Sequence, residues 1–209
     1  MLKQRGTSLI EFLISSAISV VIIGMVIGML THHNRVSVRR ANELMLVQNT
    51  NSVLQTMKQD LHRAGYNGSF STRAILSGAT QTYHVRVDNQ TSLIAYAYLS
   101  GEVGTEQAYT NVVYQRETQS PDLLKVCEKK LPYVMSVNEA ENFNVHFGNT
   151  CNTLFDRRRI VVASFALDVE RLSGLSLSSA LVTITLSTTL STQPQVTQSL
   201  SFTIKQRNW

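Results

Sequence analysis

The chain has 209 residues, of which 16% are charged, and its formal net charge is +5. This length leaves room for an apolar N-terminal segment and one globular domain with its own core. So mild an excess of positive charge does not select nucleic acid as a partner.

An apolar segment near the N-terminus carries a single charge. Leu9–Leu30 contains no ionisable residue except Glu11. As a helix this segment would be roughly 33 Å long at about 1.5 Å per residue, enough to cross the hydrocarbon core of a bilayer. A carboxylate inside a membrane costs about 2.5–3.5 kcal/mol on insertion scales, and less near the interface. We therefore expect Glu11 to have a function and a positively charged partner.

The residues around Gly6 form a candidate processing signal. A short basic leader, Met1–Arg5, is followed by the run Gly-Thr-Ser-Leu-Ile-Glu-Phe over residues 6–12. This run resembles the class III signal of type IV prepilins and type II secretion pseudopilins. The resemblance implies that a prepilin peptidase cleaves after Gly6 and N-methylates the new first residue, Thr7, where the family usually has Phe. The ammonium of Thr7 in one subunit would pair with Glu11 of a neighbour, because unpaired charge is costly in a bilayer or filament core.

An ordinary secretory signal and a plain signal anchor both fit the N-terminus less well. A secretory signal has an apolar region of about 7–15 residues with a small-x-small cleavage site after it. Here the apolar run is longer, and Thr31–Arg35 follows it without such a site. A plain signal anchor accounts for the length but leaves the pattern from Gly6 to Glu11 unexplained.

The helix is predicted to continue beyond the apolar segment. Residues 36–64 contain neither Pro nor Gly, and Gly65 follows as a helix stop. A helix from about Ser8 to Ala64 would be roughly 85 Å long. Apolar residues recur at helical spacing through this polar stretch, namely Ala41, Leu44, Val47, Leu54, Met57, Leu61 and Ala64.

The predicted organisation has four parts: a leader at 1–6, a transmembrane and assembly helix at 7–30, its amphipathic continuation at 31–64, and a periplasmic β-rich domain at 65–209. Gly24 and Gly28 form a Gly-x-x-x-Gly pair within the apolar part. This pair is as typical of close helix packing or a hinge as of an ordinary membrane helix.

The second half of the chain is predicted to form strands, while residues 134–147 have a mixed pattern that favours no element. Alternating or β-branched runs lie at Tyr83–Val87, Leu93–Leu99, Val112–Arg116, Leu123–Cys127, Ile160–Val169, Leu181–Thr189 and Ser199–Lys205. Pro194 and Gln195 are predicted to form the turn between the last two. Cys127 and Cys151 are predicted to form one disulfide in an oxidising compartment. One long helix followed by strands predicts an α+β fold, in which an antiparallel β-sheet packs on the amphipathic half of the helix, as in type IV pilins.

Four further stretches narrow the resemblance to PilW-like minor prepilins, with the J-type pseudopilin of type II secretion as the nearest competitor. Asp60–Gly68 is similar to the end of the long helix of that family, and Val113–Leu124 is similar to its central hairpin. Val137–Phe147 is similar to a short middle segment, and Ile204–Asn208 is similar to the final strand. The resemblance implies a single-pass protein of the bacterial inner membrane with a periplasmic C-terminal domain, which primes type IV pilus assembly and then enters the pilus, with the tip as its candidate place. The implied partners are the prepilin peptidase, other minor pilins, the major pilin and the inner-membrane assembly platform.

The sequence carries no motif for catalysis or for a cofactor. Its five histidines lack metal-ligand spacing, and it has no phosphate-binding glycine-rich loop. We therefore expect no enzyme, no metal site and no cofactor. The run Arg157-Arg158-Arg159 is a candidate contact for DNA phosphates, in case the chain is the DNA-binding tip subunit of an uptake pilus. A solvated face, or ion pairs with Asp156 and Glu170, is the simpler interpretation.

Overall fold

A computed structural model describes residues 8–68, 72–88, 91–117, 119–148, 150–173 and 178–206, without the side chains of residues 172, 173, 178 and 179. The chain forms two compact units, one ending at Leu44 and one beginning at Met45. The described elements in chain order are α1 (Leu9–Leu61), β1 (His84–Val87), β2 (Thr91–Leu99), β3 (Tyr109–Glu117), β4 (Lys125–Leu131), α2 (Val137–Glu141), α3 (Phe143–Phe147), β5 (Cys151–Thr153), β6 (Ile160–Ser173), β7 (Ser178–Leu190) and β8 (Gln193–Lys205).

The first unit consists of the N-terminal part of α1, whose side chains are exposed from Leu9 to Ala41. Some of its hydroxyl groups bond within the helix: Ser16 Oγ donates to Leu13 O at 2.9 Å, and Ser19 Oγ donates to the backbone oxygen of residue 15 at 2.8 Å. Such internal bonds suit an apolar solvent, where a polar group finds no water. The exposed apolar side chains require a cover of lipid or protein.

In the second unit, α1 buries one face, which comprises Leu46, Thr50, Leu54, Met57 and Leu61. The predicted stripe was correct for Leu54, Met57, Leu61 and Ala64 but wrong for Ala41, Leu44 and Val47, which are exposed. The error has a physical cause, because the buried face contains a polar residue that breaks the apolar pattern. Thr50 Oγ1 donates to Leu46 O at 2.8 Å and lies 2.6 Å from Thr188 Oγ1 of β7, so its hydroxyl is satisfied in the core.

The helix α1 ends at Leu61, slightly before the predicted end at Ala64. The hydroxyl of Tyr83 donates to Leu61 O at 2.8 Å and satisfies one of the terminal carbonyl groups. Gly65 then turns the chain with φ 81°, a conformation that other residues rarely adopt. A Cβ at this position would lie 2.4 Å from Thr82 Cγ2, so both the backbone angle and the available space require glycine here.

The strands form two antiparallel sheets rather than the single sheet that the sequence predicted. The first has the order β1-β2-β3-β4-β5, in which β5 is a short strand that was not predicted, and the second has the order β6-β7-β8. The predicted turn at Pro194 and Gln195 was wrong: the turn lies at Ser191 and Thr192, and Pro194 belongs to β8. An edge strand such as β8 tolerates proline, because an N–H group that points away from the sheet is not needed for the ladder.

The strand β2 is buried on both faces of the first sheet. Ile94 and Tyr96 belong to the core cluster that includes the buried face of α1, and Leu93 and Ala95 belong to a second cluster with Phe143 of α3. The short helices α2 and α3 arise from the segment with the mixed sequence pattern. The unit is thus layered, with α1 on one side of the five-stranded sheet and α2–α3 on the other. The predicted α+β, pilin-like architecture, a long N-terminal helix packed on antiparallel strands, is confirmed.

Candidate functional site

One helix in the described part of the chain is long and apolar enough to cross a membrane. The most apolar 18-residue window of α1 has a mean hydropathy of 2.5, and none of it is buried. Its length and composition are therefore consistent with membrane anchoring. Gly24 and Gly28 lie on this part of α1, and a Cβ built at either position meets nothing within 4 Å. Packing within the chain therefore does not require either glycine.

Glu11 lies in the first turn of α1 and is exposed. Its Oε2 atom accepts a hydrogen bond from the backbone N–H of Ser8, 3.0 Å away, directly before the helix begins at Leu9. A carboxylate at this position satisfies an orphan N–H group and interacts favourably with the helix dipole. Since an ionised carboxylate accepts several hydrogen bonds, this contact leaves capacity for a cation from outside the chain. The predicted cleavage and methylation site at Gly6 and Thr7 lies outside the described residues.

A disulfide joins Cys127 of β4 to Cys151 of β5, as the sequence predicted. The two residues face each other in the register of the antiparallel pair. Cys127 is fully buried in the second core cluster, which it shares with the side chains under α2 and α3. The bond therefore attaches the short edge strand β5 to the body of the sheet.

The three arginines 157–159 are exposed on the loop between β5 and β6. Arg157 forms a long ion pair with Asp122 at 3.5 Å. Asp156 binds the loop backbone instead of a guanidinium group, because its Oδ1 accepts from the N–H of Arg158 at 3.0 Å. Glu170, the other expected partner, forms no ion pair among the described residues. The loop thus presents a cluster of positive charge in which one long ion pair, from Arg157 to Asp122, joins a guanidinium group to a described carboxylate.

Two side chains of β1, His84 and Arg86, contact the same carboxylate of α2, Glu141. Glu141 accepts from Arg86 Nη1 at 2.8 Å and lies 2.9 Å from His84 Nε2. Arg86 also binds Asp88 at 2.7 Å, and these two carboxylates raise the pKa of its guanidinium group. Among the described residues, no set of three or more His, Cys, Asp or Glu side chains could hold a metal ion.

A polar cleft of about 500 Å³ opens near the same place. It is lined by carboxamide and carboxylate side chains, including Gln115, Glu117 and Asn142. Glu117 is already engaged, because it accepts from Gln115 Nε2 at 2.9 Å and from Lys125 Nζ at 3.3 Å. The two acids of the cleft, Glu117 and Glu141, each form an ion pair, with Lys125 and Arg86 respectively.

A buried tyrosine, Tyr114, attaches the end of α1 to the first sheet. Tyr114 donates to Asp60 Oδ2 at 2.9 Å. Burial, and after it the Asp60 carboxylate, raises the pKa of Tyr114, so the phenol stays protonated and remains a donor. Asp60 belongs to the Asp60–Gly68 run that the sequence singled out, but its partner on β3 could not be deduced from spacing.

Comparison with known proteins gives one match. A family model described as prepilin peptidase-dependent protein B matches residues 39–206. No curated protein and no solved structure matches the chain. The family match begins after the apolar segment, so it is independent of the leader pattern at residues 6–12.

Proposed function

Because the chain belongs to the prepilin peptidase-dependent protein B family, we propose that it is a minor pilin of the PilW-like kind that primes type IV pilus assembly. The observation that carries the proposal is the exposed apolar stretch of α1 with a single carboxylate at its start. A filament subunit needs such a segment twice, first as a membrane anchor and then as an assembly helix. Its partners would be the prepilin peptidase, other minor pilins, the major pilin and the assembly platform.

The proposed mechanism is electrostatic. Cleavage after Gly6 creates an ammonium group at Thr7, and methylation keeps its positive charge. Glu11 of a neighbouring subunit then selects and registers this amine, because an unpaired charge is costly in an apolar filament core. The apolar side chains of α1 exchange lipid for other helices, so assembly loses little apolar burial.

The chain would first be a single-pass protein of the bacterial inner membrane with its second unit in the periplasm, and later a component of the pilus, at or near the tip. The role is non-catalytic. Support comes from the sequence, which carries no motif for catalysis. Support for an oxidising compartment comes from the disulfide between Cys127 and Cys151.

The substitution Gly6→Ala tests the proposal. We expect the variant to keep its leader, because the peptidase site is lost, and we expect cells that carry it to lose pili. Gln4→Ala is the matched control, since it places an alanine in the same leader and keeps Gly6. The leader is followed by intact mass and the pili by electron microscopy. Normal processing and normal pili in Gly6→Ala cells would refute the proposal.

Two alternative functions can be tested in the same cells. A J-type minor pseudopilin would leave pili unchanged on deletion and abolish secretion of a type II substrate instead. A DNA-binding tip subunit is favoured by the exposed arginines 157–159. Replacing all three by glutamine would then abolish DNA capture without loss of pili. The slope of the logarithm of the DNA-binding constant against the logarithm of the salt concentration would become shallower by about 0.9 for each phosphate that is no longer neutralised. The double change of Lys129 and Lys130 to glutamine, which removes two positive charges from β4, is compared with the double change of Arg158 and Arg159 as the charge-matched control.

A further inference from the structure

The strand β8 forms a long open edge of the second sheet. In the order β6-β7-β8 the two edges are β6 and β8, and β6 contacts β1 and β2 of the other sheet. Among the described strands, only β7 pairs with β8. With 13 residues, β8 is far longer than β1 with 4 and β5 with 3, the edge strands of the first sheet.

The register shows which backbone groups of β8 point outward. Gln206 N donates to Ala180 O at 2.8 Å, and the pairing continues from this point without a shift as far as Thr197. Because hydrogen-bonded and non-hydrogen-bonded pairs alternate in an antiparallel ladder, even-numbered residues of β8 bond to β7. The N–H and C=O groups of the odd-numbered residues therefore face the open edge; these residues are Thr197, Ser199, Ser201, Thr203 and Lys205.

Side-chain contacts agree with this assignment. Thr183 and Thr203 bring their hydroxyl oxygens to 2.9 Å, and Ser187 Oγ donates to Ser199 Oγ at 2.9 Å. Both contacts join odd-numbered residues across the two strands, and side chains approach most closely at non-hydrogen-bonded pairs.

The chemistry of this edge lacks the usual protection against strand addition. Edge strands of soluble proteins carry lysines, prolines or bulges that block further pairing. From Val196 to Ile204 the strand has no charged residue and no proline; Pro194 lies before this stretch and Lys205 follows it, so the protection is confined to the two ends of β8. Val196, Leu200 and Phe202 pack against the core but are only partly buried, so an added strand would cover them further.

We propose that the β8 edge from Val196 to Ile204 pairs with an extended strand of a different membrane-anchored prepilin subunit and continues the sheet into it. The inference rests on the proposed function, which supplies such neighbours. The partner strand would be uncharged and would alternate small hydroxyl-bearing and aliphatic residues, to continue the two faces of β8. Most of the recognition would come from backbone hydrogen bonds, as in other cases of strand addition.

A second copy of this chain fits the edge less well than a different subunit. Antiparallel pairing of β8 with itself requires a two-fold axis normal to the sheet. The segment of α1 from Met45 to Leu61 packs across the inner face of that sheet, where Thr50 meets Thr188. The two-fold axis would reverse the direction of this segment in the second copy, whereas chains anchored in one membrane enter their domains in the same direction.

The test uses the full chain in cells that carry their own prepilins. A benzoylphenylalanine photo-crosslinker at Thr197 should give a light-dependent adduct with another substrate of the prepilin peptidase, identified by mass spectrometry. The same group at Asn152, on the short edge strand β5, is the control and should give no such adduct. Ser201→Pro should reduce the adduct at least about tenfold, because it removes one outward N–H and its pairing.

Two further variants show whether a lost adduct reflects lost pairing or misfolding. Ser201→Thr keeps the N–H and should leave the adduct unchanged. Ser201→Lys keeps the N–H but adds a blocking charge and should remove the adduct. The inference is overturned by no adduct at Thr197, by equal adducts at Thr197 and Asn152, by an adduct with the mass of two copies, or by one that survives both Ser201→Pro and Ser201→Lys. Loss of pili in Gly6→Ala cells together with any of these results would refute the edge pairing and leave the proposed function standing.

Discussion

Replacing Glu11 by glutamine separates the two roles that its carboxylate can have. In the structure, Glu11 Oε2 accepts from the N–H of Ser8 at 3.0 Å, so it caps the start of α1. Glutamine keeps an oxygen that can accept this bond, as capping boxes show, but it removes the charge. Alanine removes both. Aspartate keeps the charge and serves as the conservative control.

The two contributions differ in size. A cap or a helix-dipole contact contributes about 1 kcal/mol or less at an exposed helix end. Opposite charges about 4 Å apart interact with about 4 kcal/mol at an effective dielectric constant near 20. If Glu11 pairs with the amine of a neighbouring subunit, removal of the charge should lower incorporation by up to about a thousandfold, and additional removal of the cap by at most about fivefold more.

The assay is the ratio of this chain in sheared filaments to this chain in membranes, measured by quantitative mass spectrometry. Glu11→Gln and Glu11→Ala should both be cleaved normally, and both should be nearly absent from filaments, while Glu11→Asp enters them. Normal incorporation of Glu11→Gln, with a defect only in Glu11→Ala, would show that the carboxylate acts as a helix cap and would refute the charge-pairing mechanism.

Three predictions concern the second unit, with unfolding of the full chain in detergent as the measurement for the first and third. Thr50→Val should cost about 1–3 kcal/mol, because it leaves the buried hydroxyl of Thr188 without its partner, and adding Thr188→Val should recover part of the stability. The pKa of Glu139 is lowered, first by the hydrogen bond that its carboxylate accepts from the backbone N–H of Ser136, the N-cap residue of α2. The contribution of Glu139 to stability is therefore complete above the ordinary value of 4.5 and is lost as the pH falls below it. The protection factors of the α2 amides, corrected for the intrinsic pH dependence of exchange, should therefore fall on acidification, and unchanged protection factors between neutral and acid pH would contradict this. Replacing Cys127 and Cys151 by serine should cost about 3 kcal/mol, the chain-entropy value for a loop of this size; an unchanged midpoint would contradict it.

The sequence predicted the fold class because its strongest signals are local. An uncharged apolar run, a long stretch without Pro or Gly, and a glycine at the turn each report on one element. They were sufficient for the existence of α1, although the helix ends at Leu61, before the stop predicted at Gly65; Gly65 turns the chain after it with φ 81°. The family match over residues 39–206 supports a pilin-related role by a route that does not use the leader.

The misses involve partners that are distant in sequence. Thr50 appeared polar and was left out of the predicted stripe, although its partner Thr188 on β7 makes it a core residue. The division into two sheets depends on how β5 and β6 pair, and spacing carries no information about that. Pro194 indicated a turn, because proline is rare inside a β-sheet. An edge strand tolerates it, but the sequence does not show that β8 lies at an edge. The open edge of β8 became visible only when the register fixed which backbone groups point outward.

The proposed function requires that this chain is processed and then enters a filament as a minor subunit. Mass spectrometry of its N-terminal peptide in sheared pili tests both steps at once. We expect a chain that begins at Thr7, methylated on its amine, present in far fewer copies than the major pilin. Absence of the chain from the filaments, or a filament-bound chain that still begins at Met1, would contradict the proposed function.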